Sequence, residues 1–137
     1  MRVFLDTSAF VKRYVREQGS GKVLEICAQA GHLALSIICL PEMFSTLNRL
    51  VREGRLSDSD YRELKRMILD DLADVDICEI TPEVITQTIR CLETHPLRAM
   101  DAIHLGCALA IKPDLFLSGD HRQLEAARKE GLSVIET

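Results

Sequence analysis

The chain has 137 residues, 47% hydrophobic and 28% charged, which is the composition of one globular domain spanning residues 1–137 and leaves no length for a second core. Its net charge of −4 argues against a protein that coats nucleic acid through a general positive field. Only three apolar residues lie between Arg2 and Asp6, and the longest uncharged apolar stretches fall far short of the ~20 residues of a membrane span, so we expect neither a secretion signal nor a membrane anchor.

Short apolar runs alternate along the chain with longer segments of helical period, which is typical of βαβ units around a parallel sheet. In chain order, the predicted strands are residues 2–5, 33–36, 76–79, 114–117 and 133–135. The predicted helices are residues 8–15, 22–30, 41–53, 58–72, 82–94, 98–111 and 120–130. Pro41 and Pro82 fit first helical positions, and Thr81 fits an N-cap. The pattern predicts an α/β fold with a five-stranded, mainly parallel sheet.

The helices at 41–53 and 58–72 are predicted to form a hairpin, because Gly54 lies between them. Their apolar residues recur at three- and four-residue steps and give the hairpin an apolar face. The residues of that face are Leu47, Leu50, Val51, Tyr61, Leu64, Met67, Ile68 and Leu72. We expect part of this face to pair with another chain.

Four acidic residues follow or interrupt apolar stretches where the chain passes between a strand and a helix: Asp6, Glu42, Asp101 and Asp120. Asp6 and Asp120 come at strand ends, and the other two lie in first turns of helices that start on the same side of the sheet. Ligands bind at this edge of an open parallel sheet. Four carboxylates there would repel one another and raise at least one pKa, and Mg²⁺ or Mn²⁺ would compensate them.

Each acid has a simpler explanation when it is taken alone. Asp6 and Asp120 fit helix N-caps, and Glu42 and Asp101 are favourable near helix N-termini. Capping does not easily explain why all four fall at one edge of the sheet. Zinc is not favoured, because neither the cysteines nor the histidines supply close ligand pairs. Five cysteines without a C-x-x-C pair predict free thiols in a reducing cytoplasm.

Four segments resemble, in order, the signature segments of PIN-domain nucleases, and the likeness is nearest to the VapC-type toxins of toxin–antitoxin pairs. The segments are residues 4–9 (FLDTSA), 41–42 (PE), 97–105 (LRAMDAIHL) and 116–120 (FLSGD). The resemblance implies a three-layer α/β/α sandwich, Mg²⁺ or Mn²⁺ in an acidic pocket, and an endoribonuclease restrained by a small antitoxin protein. It also suggests a homodimer.

Carried over residue by residue, Asp6, Glu42, Asp101 and Asp120 match the metal-binding acids of this family. Ser118 and Ser8 match positions that are usually polar, and we expect them to support the metal site or to position water. We expect Asp6 and Asp101 to be the central ligands, with Glu42 and Asp120 completing the shell. Hydrolysis by a metal-activated water would leave 5′-phosphate and 3′-hydroxyl ends on RNA.

Two histidines lie beside these acids. His104 is one helical turn from Asp101 and either tunes that carboxylate or is simply packed, and packing is the favoured interpretation. His121 follows Asp120 and either contacts RNA or is an exposed helix residue, which is again favoured. Clustered basic residues either form a rim that contacts phosphate or are simply solvated helix faces, which is the favoured interpretation for most of them. The basic clusters are Lys12, Arg13 and Arg16; Arg49, Arg52 and Arg55; Arg62, Lys65 and Arg66.

Other enzyme classes have less support. A haloacid-dehalogenase-type phosphatase would carry a second Asp where this chain has Ser8, and no phosphate-binding loop or dinucleotide fingerprint is present. The alternative from a different class is a non-catalytic PIN-like module that binds RNA or a partner protein.

Overall fold

The computed structural model describes all residues, 1–137, and contains five strands and seven helices. The strands are β1 (Arg2–Leu5), β2 (His32–Ser36), β3 (Val75–Cys78), β4 (Leu115–Ser118) and β5 (Val134–Glu136). The helices are α1 (Thr7–Phe10), α2 (Ser20–Gln29), α3 (Cys39–Arg52), α4 (Asp58–Asp71), α5 (Pro82–Thr94), α6 (Ala99–Ile111) and α7 (His121–Lys129). Single 3₁₀ turns follow α1 and α4, at Val11–Arg13 and Leu72–Asp74. None of the helices combines the length and hydropathy that a membrane span requires.

The five strands form one sheet in the order β3-β2-β1-β4-β5, and every neighbouring pair is parallel. The chain builds outward from β1 through β2 to β3 and then crosses back to place β4 on the other side of β1. Leu5 pairs with Leu117, so the carboxyl ends of β1 and β4 lie side by side. The strand order reverses between these two strands, which is where ligands bind in such sheets. The predicted parallel sheet is confirmed.

Side chains alternate across the sheet and create one apolar core on each face. Val3 and Leu5 point into a core formed with α1, α2, α3 and α4, whereas Phe4 points into a second core formed with α5, α6 and α7. Phe4 stacks on Phe116 of β4 with ring centroids 5.7 Å apart. The sheet is therefore sandwiched between two helical layers, and the expected three-layer α/β/α architecture is confirmed.

Gly106 allows α6 to pack closely against α5. A Cβ atom at this position would lie 2.5 Å from the hydroxyl of Thr88 and 3.0 Å from the carbonyl oxygen of Val84. The contact is closer than any real side chain tolerates, so a larger residue would push the two helices apart. Because Asp101 and His104 also lie on α6, this contact fixes where both side chains stand relative to the sheet.

Three predicted helix boundaries were wrong. The helix predicted at 8–15 is a single α-turn, α1, followed by a 3₁₀ turn. The helix predicted from 22 begins at Ser20, because Gly19 adopts φ 93° and turns the chain two residues earlier. Helix α3 begins at Cys39 and not at Pro41. Proline is tolerated there because the first four N–H groups of a helix have no intrahelical partner.

Candidate active site

Asp6 follows β1 directly and is nearly fully buried, with 4% of its surface exposed. Its Oδ1 accepts hydrogen bonds from the Ala9 N–H at 3.0 Å and from the Ser8 hydroxyl at 2.6 Å, and it caps α1. Its Oδ2 accepts a hydrogen bond from the Ser118 hydroxyl at 2.5 Å. Burial raises the pKa of Asp6, and the hydrogen bonds from Ser118 and Ser8 offset part of that rise. The carboxylate is therefore held rigidly by three donors.

Ser8 and Ser118 join the two strand ends around this carboxylate. Besides donating to Asp6, the Ser118 oxygen accepts a hydrogen bond from the Asp120 N–H at 2.9 Å. The Ser8 oxygen accepts one from the Gly119 N–H, also at 2.9 Å. The two serines thus fix the loop that carries Asp120 against the loop that carries Asp6.

Asp120 is the N-cap of α7. Its Oδ1 accepts hydrogen bonds from the N–H groups of Arg122 and Gln123 at 2.9 and 3.1 Å. The other carboxylate oxygen has no protein donor. Asp6 and Asp120 therefore both act as helix N-caps, as the simpler explanation for each residue predicted. It leaves one oxygen of Asp120 available for another ligand.

Asp101 lies in the first turn of α6, and its carboxylate makes no hydrogen bond and no ion pair in the structure. Partial burial raises its pKa, and the nearby charge of Asp120 raises it further. The carboxylates of Asp6 and Glu42 act in the same direction, and His104 opposes them. Repulsion from neighbouring acids therefore adds to burial in raising the pKa of Asp101.

Glu42 stands in the first turn of α3 and faces α6. Its Oε1 accepts hydrogen bonds from the Thr7 hydroxyl at 2.7 Å and from Nε2 of the buried His104 at 2.6 Å. Burial alone would raise the pKa of Glu42, but the hydrogen bonds from His104 and Thr7 outweigh it and lower the pKa. His104 is packed, as expected. Its hydrogen bond, however, goes to Glu42 and not to Asp101, the acid suggested by sequence spacing.

Asp101 and Asp120 open into one cleft of about 430 Å³ that has no hydrophobic lining. The cleft is lined by Arg98, Asp101, Gly119, Asp120, His121 and Arg122. Glu42 lines a separate cleft of about 470 Å³ together with Thr7 and Met100. The ring of His121 is exposed, as expected, and pairs with Glu136 at 3.1 Å.

The four acids supply the all-oxygen donor set that Mg²⁺ and Mn²⁺ prefer. Yet no three acidic, histidine or cysteine side chains converge closely enough to hold an ion in this arrangement. The expectation that all four carboxylates face one another within a few ångströms was therefore wrong for these rotamers. Asp6 and Glu42 are turned toward protein donors, and like charges without a cation favour separation. The unpaired Asp101 and the free oxygen of Asp120, in a cleft lined by no hydrophobic residue, do fit a hard cation.

Three residues at this site were not identified from sequence. Thr7 was passed over although it directly follows Asp6. Arg98 and Arg122 lie three residues before Asp101 and two residues after Asp120, and this short spacing was the available signal. The basic clusters singled out by sequence are all N-terminal to these two arginines and do not line the cleft.

Comparisons with known proteins agree with the fold and the motifs. The PIN domain profile matches residues 3–129. The chain is 31% identical over 135 residues to Ribonuclease VapC47 of Mycobacterium tuberculosis (strain CDC 1551 / Oshkosh), covering 94% of this chain and 92% of that protein. It is 30% identical over 109 residues to Ribonuclease VapC45 of the same strain, covering 80% and 76%.

Solved structures show the same fold at low sequence identity. VapC20 of Mycobacterium tuberculosis, described as a sarcin-ricin loop cleaving toxin, superposes with a TM-score of 0.73 at 16% identity and covers 98% of this chain and 99% of its own. VapBC2 of Rickettsia felis, solved with a DNA fragment from its promoter, gives a TM-score of 0.70 at 14% identity and covers 100% and 99%. The profile match and the relatives at 30% identity or more establish that the chain belongs to the PIN-domain family, among its VapC ribonucleases.

Proposed function

We propose that this protein is an endoribonuclease that depends on Mg²⁺ or Mn²⁺ and acts as the toxin of a toxin–antitoxin pair. The observation that carries the proposal is the unpaired carboxylate of Asp101, which shares with Asp120 a cleft lined by no hydrophobic residue, where the strand order reverses. Its raised pKa means that the site favours a compensating positive charge.

In this proposal Asp6 and Asp101 are the central ligands, and Glu42 and Asp120 complete the shell directly or through water. A bound cation would supply charge neutralisation on the phosphate and a reactive water. Ser8 and Ser118 donate to both oxygens of Asp6 and so favour its ionised form, which offsets part of the rise in pKa that burial causes. Glu42 is held ionised in the same way by Thr7 and His104.

We infer that water attacks, and not the 2′-hydroxyl of the RNA. Attack by the 2′-hydroxyl requires a paired general acid and base, usually two histidines. Only His121 lines the cleft, because His104 is buried against Glu42. The expected products carry 5′-phosphate and 3′-hydroxyl ends.

The toxin assignment rests on the relatives, which are named VapC ribonucleases, and on structural neighbours described as VapBC complexes. An apolar cleft of about 330 Å³ lies between the end of the 3₁₀ turn after α1 and the α3–α4 hairpin. It is lined by nine residues, Tyr14, Val15, Arg16, Leu50, Arg55, Leu56, Asp60, Glu63 and Leu64. We expect apolar side chains of an antitoxin segment to bind there.

We further propose a cytoplasmic homodimer. All five cysteines are free thiols, which suits a reducing compartment. Helix α5 exposes Ile85, Ile89 and Leu92, which recur at four- and three-residue steps and form an apolar stripe available to a second copy.

The proposal is tested by incubating purified protein with tRNA, rRNA and mRNA fragments in Mg²⁺ or Mn²⁺ and in EDTA. Asp101→Asn is the inactive variant, and Asp74→Asn, an exposed acid remote from the cleft, is its matched control. We expect metal-dependent cleavage by the wild type and by Asp74→Asn only. RNA left uncut by the wild type although it binds the metal would favour the alternative, a non-catalytic PIN-like module for RNA or protein.

A further inference from the structure

Arg98 and Arg122 stand in the cleft beside Asp101 and Asp120, and neither guanidinium group has a hydrogen-bond or ion-pair partner. Both residues are exposed. Six of the ten other arginines are paired with acids, whereas Arg13, Arg16, Arg52 and Arg62 are not. These pairs are Arg2–Asp76, Arg49–Glu53, Arg55–Glu53, Arg66–Glu63, Arg90–Glu130 and Arg128–Glu125.

The position of the two arginines follows from local sequence. Arg98 is the N-cap residue of α6 and precedes Asp101 by three residues, or about one helical turn. Arg122 is the second residue of α7 and follows Asp120 by two. Each acid of the cleft therefore has an arginine within one turn of its own helix. Neither arginine is neutralised by the acid beside it.

A polyanion approaching Asp101 and Asp120 is repelled unless positive groups stand beside them. A guanidinium presents a planar fork of donors that fits two phosphate oxygens at once, and its charge persists at every physiological pH. Two such groups, unpaired and in the same cleft as the acids, offset that repulsion. They do so without ligating the cation that the acids would bind.

We propose that Arg98 and Arg122 bind backbone phosphates of the RNA next to the acids and hold the strand in the cleft. This inference rests on the proposed function, since it takes RNA as the substrate of the same site. Contacts of this type position a nucleic acid and carry no base information. The two arginines would therefore contribute affinity and register on the strand, and not sequence choice.

The path of the strand continues along α7. A second cleft of about 240 Å³ shares His121 and Arg122 with the first and reaches Lys129 at the end of that helix, where Glu125 also lines it and pairs with Lys129 at 3.7 Å. Arg122 thus stands where the two clefts meet. A single strand held at Arg122 would extend from the acids along α7, so the site is built for more than one nucleotide.

The inference is tested by fluorescence anisotropy of a labelled single-stranded RNA on the Asp101→Asn background, which removes cleavage. Arg98→Gln and Arg122→Gln should each weaken binding about tenfold at low salt. Each should also reduce the slope of log affinity against log salt by about 0.7. Arg2→Gln, at the start of β1, paired with Asp76 and outside both clefts, should change neither quantity.

Two further arms separate a phosphate contact from other effects. Arg98→Lys and Arg122→Lys keep the charge and should recover the salt slope but only part of the affinity. When either arginine is replaced by glutamine, the protein should lose as much affinity for a DNA strand of the same sequence as for the RNA, because phosphate contacts do not sense the 2′-hydroxyl. In the active background, Arg122→Gln should raise KM more than it lowers kcat.

Unchanged affinity and slope in both folded glutamine variants would overturn the inference. The same variants are also tested with a labelled acidic peptide. If they lose affinity for the peptide but not for the RNA, the inference is overturned and the arginines are assigned to a protein partner. If the wild type cuts no RNA but the slopes fall as expected, the proposed nuclease function fails and the phosphate contacts stand. If the wild type cuts RNA and the slopes do not change, the nuclease function stands and the phosphate contacts fail.

Discussion

His104 and Glu42 are joined across the site by a hydrogen bond of 2.6 Å from Nε2 of the histidine to Oε1 of the glutamate. His104 is 2% exposed, so its ring is fixed by packing, and it fixes the carboxylate in turn. The hydroxyl of Thr7, the first residue of α1, donates a hydrogen bond to the same oxygen. A helix of one layer and a turn of the other thereby determine where Glu42 points.

Removing these donors should release Glu42. We expect Thr7→Val to lower kcat about tenfold with little change in KM, because a misplaced ligand impairs the reaction more than RNA binding. His104→Ala should act in the same direction and should also destabilise the fold through the cavity it leaves. Steady-state cleavage kinetics test this, with Thr86→Val on the exposed face of α5 as the control. An unchanged kcat in Thr7→Val would show that the orientation of Glu42 is unimportant.

Ser118→Ala should destabilise the protein by about 1–3 kcal/mol, because it leaves a buried carboxylate oxygen of Asp6 without its donor. The pKa of Asp6, already raised by burial, should rise further. Urea unfolding at neutral pH measures the free energy change. Ser45→Ala, an exposed position on α3, should have no comparable effect. Equal stability of the two variants would mean that Ser118 is not required to hold Asp6.

Asp101→Asn should stabilise the metal-free protein at neutral pH. The pKa of Asp101 is raised above 3.8, mainly by burial and by Asp120, so its ionised form opposes folding. A raised carboxyl pKa adds stability below its unfolded value, and that stability is lost as pH rises through the folded value. The advantage of the variant should therefore shrink as pH falls toward 3.8. Urea unfolding in EDTA across this range checks the sign.

The same variant should lose the response to metal. A cation that binds only the folded wild type raises its melting temperature, and Asp101→Asn or Asp6→Asn should remove most of that rise. Asp74→Asn should keep it. An equal shift in all three variants would place the cation elsewhere.

Glu130 lies away from the cleft. It should make the stability of the fold depend on pH with the opposite sign to Asp101. The hydrogen bond from Arg90 and contact with His95 lower the pKa of Glu130 to about 2, and the bonds join the ends of α5 and α7 at 2.6 and 2.7 Å. A lowered carboxyl pKa contributes stability above 4.5 that is lost as pH falls toward 2. Glu130→Gln should therefore destabilise the protein at neutral pH and progressively less in acid. Glu125→Gln, on an exposed pair, should have a small effect at either pH.

The sequence was informative about the fold because its periodicity is strong. Parallel strands, the helical hairpin and the cap at Thr81 follow from apolar spacing and from residues with fixed local preferences. The start of α3 did not follow from apolar spacing or from local preferences. Pro41 marked a position near the helix start, but the turn that precedes the helix is fixed by a hydrogen bond from the Ile37 N–H to the distant Cys78 carbonyl, which no local rule reports.

The sequence predicted the edge of the sheet at which the acids lie, and not how they bond. Asp6, Asp101 and Asp120 fall at the strand-order reversal because topology places strand and helix ends there. The partner of His104 depends on how α6 and α3, which lie on opposite faces of the sheet, meet at its edge, and spacing within α6 cannot show this. The open cleft beside Arg98 likewise depends on how the starts of α6 and α7, on either side of β4 in the chain, come together.

We propose that the four acids support hydrolysis of RNA by water with the aid of a divalent cation. This proposal is tested most directly by identifying the 5′ ends released by the purified wild type in Mn²⁺, through ligation with and without prior phosphorylation, beside Asp101→Asn. We predict 5′-phosphate ends that ligate without treatment and that are absent with the variant. Ends bearing 5′-hydroxyl groups, or equal cleavage by the Asp101→Asn variant, would contradict the account.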